Sequence, residues 1–387
     1  MKLAMALIYD GNFIVGGPAN TRVSPNFRLR ELTRKNGTVK VHRELVSALQ
    51  ILRDRFGAGI SVKSMSPRGE LGVGSVGLFA WISAVDIDRL AELVEYFKAE
   101  GYFRDVERDS DLLYVNIGDP QSLPPIDVTD ALQNAVQVTA GFETSGDPFQ
   151  QVTGNFDGAG LSFGPSQVNF GTGTLVPLFD KFKQVDEDAL MDCFSNEQYY
   201  MKWQRILDNP RAKQIAWADK RSTGTRKAGF AQPWKAYFQA VGRVPTFRQI
   251  MTEHAVEKYG RKLATALNWL RKLVDVEVDH LRCICSLYDL CTQQGSLNKA
   301  HPQIRKRVSV EHPDDQFELV RIAVEERGKT ANSPWRADCV SRRLGILYRQ
   351  RTPVTVQGER ANRDNRNFYL LRNTHVRNPE ALRRASD

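Results

Sequence analysis

The sequence predicts an α+β protein, in which a small α+β unit is followed by a mostly helical part that contains one β-hairpin. Three observations support this class. Helical and strand-like patterns alternate in the first 120 residues, a proline-rich stretch follows at 118–127, and helical patterns dominate from Leu175 onward. With 387 residues, the chain is long enough for two or three domains.

The first unit, residues 1–120, contains two predicted helices and a strand. Apolar residues repeat at helical spacing over 43–56 and again over 86–100. Residues 112–117 have the composition of a strand. The apolar run at the N-terminus is too short for a signal peptide, so we expect a strand there as well.

The second unit, residues 129–387, is predicted to begin after a linker at 121–128. Thr129 is expected to cap a helix that continues to about Phe142. Two strands of a hairpin should follow, joined at 157–160. Further helices are predicted over 247–259, 261–273, 278–293, 316–327 and 335–348.

The charge and the cysteines restrict the class of partner. The formal net charge is +9, and residues 341–387 hold eleven arginines against four acidic residues. Such a basic extension favours an anionic partner, such as nucleic acid or an acidic wall polymer, over a cationic one. The five cysteines form no CxxC or Cys–His pattern, so buried thiols are expected rather than a disulfide framework or a zinc site. No apolar run has the length of a transmembrane helix.

Two carboxylates lie in a glycine-rich segment after the first helix of the second unit. Glu143 follows that helix, and Asp157 opens an Asp-Gly-Ala-Gly turn fourteen residues later. Cleavage of a glycosidic bond needs one carboxyl group that protonates the leaving oxygen and a second that activates water or attacks carbon. Six glycines between 154 and 173 allow tight turns and a close approach to a ligand. The pattern indicates a glycosidase, although a glycine-rich structural hairpin would have the same spacing.

The runs 157–164 and 171–175 (DGAGLSFG and GTGTL) resemble the core of the family 46 chitosanases within the lysozyme-like superfamily. They are more similar still to the chitosanase-like domains of phage and bacterial peptidoglycan hydrolases. The resemblance implies that Glu143 is the general acid, that Asp157 is the general base, and that Ser162 holds the attacking water where the family usually has threonine. It also implies inversion, with the two carboxyl groups about 6.5–9.5 Å apart.

Two amides and one aspartate complete the predicted site. Gln167 and Asn169 are two residues apart on the second predicted strand, so their side chains are expected on one face, where they could bind sugar hydroxyl or acetamido groups. The run 286–295 resembles the Tyr-Asp helix of the same family, with Gln294 in place of its usual histidine. This resemblance implies that Asp289 is structural.

The first unit resembles the D-alanyl-D-alanine carboxypeptidases of the Hedgehog-like fold, in the runs 27–32, 44–57 and 64–68. In that family two histidines and an aspartate bind zinc. Asp86 matches the aspartate, whereas Phe79 and Tyr114 stand at the histidine positions. Because a catalytic zinc has three protein ligands, the resemblance implies a degenerate, metal-free domain that binds the wall or serves as a scaffold.

Together these features predict an endolysin-type peptidoglycan hydrolase of a bacteriophage or bacterium, a muramidase without a cofactor. Bacterial peptidoglycan is the expected partner, nucleic acid is a weaker candidate, and no obligate protein partner is expected for what should be a monomer. Without a signal peptide, the protein would be made in the bacterial cytoplasm and act at the cell wall or in the periplasm. Two alternatives stay open, namely a chitosanase acting on a glucosamine polymer and a non-catalytic protein that binds cell wall or nucleic acid.

Overall fold

The computed structural model describes residues 7–34, 36–65, 77–120, 123–142 and 147–384. Helices and small antiparallel sheets both occur, so the predicted α+β class is confirmed. The helices are α1 (Arg43–Phe56), α2 (Ile87–Ala99), α3 (Val128–Ala140), α4 (Leu175–Val185), α5 (Glu187–Asp192), α6 (Glu197–Leu207), α7 (Arg211–Asp219), α8 (Trp234–Val241), α9 (Pro245–Arg271), α10 (Leu281–Gln294), α11 (His301–Glu311), α12 (Gln316–Lys329), α13 (Arg336–Tyr348) and α14 (Glu380–Arg384).

The strands are short and form five separate antiparallel sheets in the described part of the chain. Their bounds are β1 (Ile8–Asp10), β2 (Phe13–Gly16), β3 (Val41–His42), β4 (Ile60–Ser64), β5 (Phe79–Ala84), β6 (Asp105–Asp109), β7 (Leu112–Asn116), β8 (Val152–Thr153), β9 (Ser162–Phe163), β10 (Val168–Asn169), β11 (Ser222–Thr223), β12 (Gly229–Phe230), β13 (Val354–Val356) and β14 (Glu359–Ala361). No helix among the described residues is both long and apolar enough to cross a bilayer.

In the N-terminal part, α1 and α2 contribute to a hydrophobic core together with a four-stranded sheet in the order β4-β5-β7-β6. The position that the resemblance assigns to zinc is occupied by aromatic packing. Phe79 on β5 stacks on Tyr114 on β7, with ring centroids 5.7 Å apart. Asp86 caps α2, because its carboxylate accepts a hydrogen bond from the backbone N–H of Arg89 at 3.1 Å. Among the described residues, no group of three potential ligands converges on a metal-sized site.

The rest of the chain contains two hydrophobic cores instead of one. The first is rich in aromatic side chains and is built from residues 149–251, whereas the second is built mainly from α3 and from residues 255–382. Helix α9 joins them, since Phe247 and Met251 pack in the first core and Leu263 and Leu267 pack in the second. We refer to these two bodies as the aromatic lobe and the helical lobe.

The predicted hairpin is a three-stranded antiparallel sheet in the order β10-β9-β8. Val152, Phe163 and Val168 lie opposite one another and are buried in the aromatic lobe. Thr153, Ser162 and Asn169 occupy the neighbouring register positions and therefore the other face. Each strand is only two residues long, too short for alternation to be visible in the sequence.

Candidate functional site

A cleft of about 380 Å³ opens between the aromatic lobe and the helical lobe. The walls come from the last turns of α3, from the β8–β10 sheet and its turns, and from α9 and α10. The lining residues are Val136, Thr139, Gln151, Thr153, Phe156, Pro165, Ser166, Gln167, Tyr259, Tyr288, Thr292 and Gln293. They include no Asp, Glu, Lys, Arg or His, so the described wall of the cleft is aromatic and neutral polar.

The floor of the cleft is held in place by paired tyrosines. The Tyr259 and Tyr288 rings meet edge to face with centroids 6.2 Å apart. The Tyr288 hydroxyl donates a hydrogen bond to the carbonyl oxygen of Ala255 at 3.1 Å. Burial raises the pKa of Tyr288 above its usual value, which keeps this hydroxyl protonated as a donor.

Thr139 presents a hydroxyl that lacks a partner at the helical wall. Its side-chain oxygen is buried and makes no hydrogen bond within the described residues, and the residue is only 6% exposed. Buried polar atoms in folded proteins almost always have a partner. The Thr139 hydroxyl is therefore an unsatisfied buried group next to the cleft.

The end of α3 is fixed by a buried ion pair. Asp289 is fully buried and accepts a hydrogen bond from Arg342 at 2.7 Å. The Arg342 guanidinium lies over the Phe142 ring, 4.5 Å from its centroid. Arg363 donates to the Phe142 carbonyl oxygen at 3.0 Å. These contacts hold the residue that directly precedes Glu143, and they give Asp289 a structural role.

Glu143 itself belongs to residues 143–146, which lie outside the described residues. The last described residues before this segment are close to the cleft or to its helical wall. Thr139, four positions before Glu143, lines the helical wall, and Phe142 lies in the anchored end of α3.

Asp157 lies in an exposed turn directly after Phe156. One of its carboxylate oxygens accepts a hydrogen bond from the backbone N–H of Ala159 at 3.0 Å. Asn155 fixes the same turn, because it accepts from the N–H of Gly160 at 2.7 Å and donates to Asp219 at 2.6 Å. Asp157 does not line the cleft, but its neighbour Phe156 does.

The three remaining predicted residues have different surroundings. Ser162 is on the central strand and is 1% exposed, and it does not line the cleft. Gln167 does line the cleft, but it precedes β10 in a left-handed conformation, with φ 48°, so the expected alternation with Asn169 does not apply. Asn169 accepts hydrogen bonds from the N–H and hydroxyl of Thr172, at 2.8 and 2.9 Å, and thus stabilises a turn. The roles assigned to Glu143, Asp157 and these three residues stay predictions.

At two of the glycines, another part of the protein itself comes close to the glycine Cα, where a ligand is expected from the sequence. A Cβ at Gly154 would lie 2.4 Å from the carbonyl oxygen of Gly229, and one at Gly171 would lie 2.8 Å from Cα of Ala159. Gly154 thus permits contact between the β8 region and the β11–β12 hairpin. Some glycines of this segment are therefore needed for close packing within the protein.

Several cleft residues were not predicted from the sequence. Tyr259, Thr292 and Gln293 are on α9 and α10, more than a hundred residues from the carboxylates, and only the folded chain brings them there. Phe156 lies next to Asp157 in the glycine-rich turn, so its closeness in sequence to the predicted carboxylate is the signal that could have found it.

A larger depression of about 490 Å³ lies beside the β13–β14 hairpin, with Pro353, Val354, Thr355, Arg360, Ala361 and Asn362 around it. Neither predicted carboxylate has a sequence neighbour there. We therefore place the candidate site in the smaller cleft between the lobes.

No protein-family model matches the sequence, and no curated protein matches it. Solved structures of chitosanases are similar to part of the chain. The GH46 chitosanase of Gynuella sunshinyii in complex with chitotetraose is 14% identical, with 61% of this chain and 98% of that chain covered and a TM-score of 0.37. A chitosanase from Bacillus subtilis MY002, both native and as a mutant complexed with 6 GlcN, is 13% identical, with 62% of this chain and 100% of that chain covered and a TM-score of 0.35.

Proposed function

We propose that the protein is a glycoside hydrolase that cleaves the glycan strand of bacterial peptidoglycan, as a muramidase. Glu143 protonates the leaving oxygen, and Asp157 activates the water that attacks the anomeric carbon. The reaction needs no cofactor. The proposal includes a phage or bacterial origin and action at the cell wall, with the N-terminal part as a scaffold or wall-binding domain.

The observation that carries this proposal is that one cleft is lined by residues that are close in sequence to each of the two carboxylates. Thr139, four residues before Glu143, and Phe156, directly before Asp157, both line this cleft. A glycan bound in the cleft would lie beside both of these lining residues. General acid and general base catalysis by two carboxyl groups requires them on opposite sides of the scissile bond.

The chemistry of the described walls supports an N-acetylated glycan over a glucosamine polymer. Hydroxyl and amide groups, including those of Thr153 and Gln167, can hydrogen-bond to sugar hydroxyl and acetamido groups. A polymer of protonated glucosamine would need carboxylates along the cleft, and the described lining has none. The net charge of +9 also opposes binding of a polycation.

Within this proposal the other predicted residues differ in how directly they act on the substrate. Gln167 binds the substrate directly, because its side chain reaches the cleft. Asn169 supports the adjoining turn. Ser162, on the central strand of the sheet, holds the attacking water. Thr153, directly opposite Ser162 on β8, supplies a second hydroxyl on the same face of that sheet.

Digestion of purified Gram-negative peptidoglycan, followed by mass spectrometry of the released fragments, tests the proposal. We expect products with reducing-end muramic acid. Glu143→Gln should abolish their release, and Asp157→Asn should lower it by about a hundredfold or more. The matched control is Asp111→Asn, at an exposed position of the N-terminal part, which should keep full activity.

Other products would contradict specific parts of the proposal. Anhydro-muramic products would indicate a lytic transglycosylase and remove the role of Asp157 as base. Cleavage of peptide bonds would show that the protein is a peptidase and that the proposed glycosidase reaction is wrong. Cleavage of a glucosamine polymer but not of peptidoglycan would establish a chitosanase, and intact binding without cleavage would establish a binding protein.

A further inference from the structure

Two lysines of α9 flank the aromatic floor of the cleft. The Nζ atoms of Lys258 and Lys262 lie 5.2 and 5.5 Å from the centroid of the Tyr259 ring. Tyr259 lines the cleft, whereas the lysines contact this ring and are not themselves lining residues; we call their position the edge of the cleft. They are one helical turn apart, which places them on the same side of α9.

Both lysines are exposed, and within the described residues neither forms an ion pair with a carboxylate. Their positive charge is therefore not neutralised by a described neighbour. The residue one turn earlier, His254, adds no charge at neutral pH, because burial and the nearby Lys258 lower its pKa. The positive potential at this edge comes from the two lysines.

An exposed lysine is ordinarily only a solvated charge. These two differ because the ring that they flank is part of the cleft, while the described cleft wall has no ionisable carboxylate. A ligand with an anionic substituent would find neutral hydrogen-bonding groups along the wall and cations at the edge. A ligand with amines on each sugar would meet like charges at that edge.

We propose that Lys258 and Lys262 bind a carboxylate carried by the glycan, and that they select an N-acetylated strand with acidic substituents over neutral or cationic β-1,4-linked strands. This inference rests on the proposed function, since it assumes that the cleft accommodates a glycan. In peptidoglycan the carboxylate belongs either to the lactyl group of muramic acid or to the stem peptide attached there.

Calorimetric binding to defined tetrasaccharides tests the inference without requiring turnover. The first probe alternates N-acetylglucosamine with peptide-free N-acetylmuramic acid, the second contains four N-acetylglucosamine units, and the third is the first with its stem peptides retained. We expect the wild type to bind the first probe about tenfold more tightly than the second at low salt, as two partly screened charge contacts would allow. High salt should reduce this preference.

The double variant Lys258→Glu/Lys262→Glu should lose the preference and bind the neutral probe as the wild type does. Lys258→Arg/Lys262→Arg should retain it, which would show that the charge is responsible. The matched control is Arg305→Glu/Lys306→Glu on α11, where the same change of charge is made at two exposed cations outside the cleft lining. That variant should keep the preference of the wild type.

Equal binding of all three probes by the wild type, or weak binding of all three, would overturn the inference. Loss of the preference in the α11 control variant would also overturn it, because the effect would then come from the overall charge of the protein and not from these two lysines. A preference for the third probe alone would place the contact on the peptide instead of the lactyl carboxylate. Cleavage assays on the same probes are independent: a lysine-dependent preference without cleavage would refute the proposed catalysis, and cleavage without the preference would refute only the lysine site.

Discussion

Phe156 is an aromatic side chain at the edge of the cleft, directly before Asp157. It is 54% exposed, although most large apolar side chains of the aromatic lobe are buried. Its backbone is held by the turn that Asn155 stabilises. A rigid apolar ring in this position can cover the apolar face of a sugar and has little else to pack against.

Replacing Phe156 by alanine is expected to weaken substrate binding with little effect on folding. We predict that KM for peptidoglycan fragments rises by up to about tenfold, because a lost aromatic contact is worth roughly 1 kcal/mol. The melting temperature should be nearly unchanged, since the ring is mostly exposed. Steady-state kinetics and thermal unfolding measure both quantities.

Tyr96→Ala is the control for this substitution, because Tyr96 is also an exposed aromatic residue, 49% exposed, but lies on α2. It should leave KM unchanged. An unchanged KM in Phe156→Ala would exclude a sugar contact at this ring, and a strongly lowered melting temperature would identify the ring as part of the core.

Two helices begin at histidines that act as caps. His280 accepts a hydrogen bond from the backbone N–H of Arg282 at the start of α10, at 3.2 Å, and His42 accepts one from the N–H of Glu44 at the start of α1, also at 3.2 Å. Accepting this bond requires an unprotonated Nδ1. Burial, with the charge of Arg282 next, lowers the pKa of His280 to about 3, and burial lowers the pKa of His42 to about 4.

The cap at α10 makes the free energy of unfolding depend on pH. The pKa of His280 is lower in the folded than in the unfolded protein, so its contribution is complete above about pH 6.5 and is lost as the pH falls toward 3. His280→Asn keeps a good capping residue but removes the titration. Between pH 7 and pH 5, the free energy of unfolding should fall by about 2 kcal/mol less in the variant than in the wild type.

Denaturant titrations at several pH values measure this difference. His312→Asn is the control, because His312 is exposed and ends α11 in a left-handed conformation that asparagine also adopts. It should follow the wild-type curve. If His280→Asn also follows that curve, the cap does not titrate as the structure implies.

The helices were more predictable than the strands, for a physical reason. The helical stripe over 43–56 coincides with α1, since burial on one side repeats every three or four residues along a long segment. The predicted break at Gly260 does not occur, and α9 continues for 27 residues because both of its halves pack in a lobe. Glycine costs a helix only about 1 kcal/mol, which packing on both sides outweighs.

The candidate site was predictable only where its residues are close in sequence. The segment with Asp157 and Gln167 could be found because turn residues and polar groups are concentrated there. The walls from α9 and α10 could not, because Tyr259 and Gln293 reach the cleft through the packing of distant helices. Periodicity predicts which face of a helix is buried but not which remaining residues border a cleft.

At the scale of the whole molecule, the C-terminal segment connects the helical lobe to α1. Arg349 donates hydrogen bonds to the Glu44 carboxylate and to the Ser47 hydroxyl. The backbone N–H of Asn373 also donates to Glu44, at 3.0 Å, and the Tyr369 hydroxyl donates to Asp54 at 2.8 Å. The segment beyond α13 thus packs on the first helix of the chain, about 300 residues away in sequence.

Glu44 is the central anion of this contact. Burial raises the pKa of Glu44, but the charges of Arg349 and Arg372 and the hydrogen bond from Asn373 outweigh burial, and the pKa lies below its usual range. The carboxylate is therefore ionised and depends on its cationic neighbours. Its contribution to stability is present above about pH 4.5 and is lost as the pH falls through the lowered folded value.

Arg349→Met should leave the buried Glu44 without its main partner and lower the free energy of unfolding by about 3–5 kcal/mol. Because the contact joins the two ends of the chain, we also expect faster proteolysis near the boundary at 118–127. The double variant Glu44→Gln/Arg349→Met should recover part of the loss, since no buried charge remains unpaired.

Asp88→Asn, which removes the exposed pair with Arg108, is the control and should change stability by less than about 1 kcal/mol. Thermal unfolding and limited proteolysis of the four proteins measure these effects. An Arg349→Met variant as stable as the control would mean that the stability of the N-terminal part does not depend on its contact with the helical lobe.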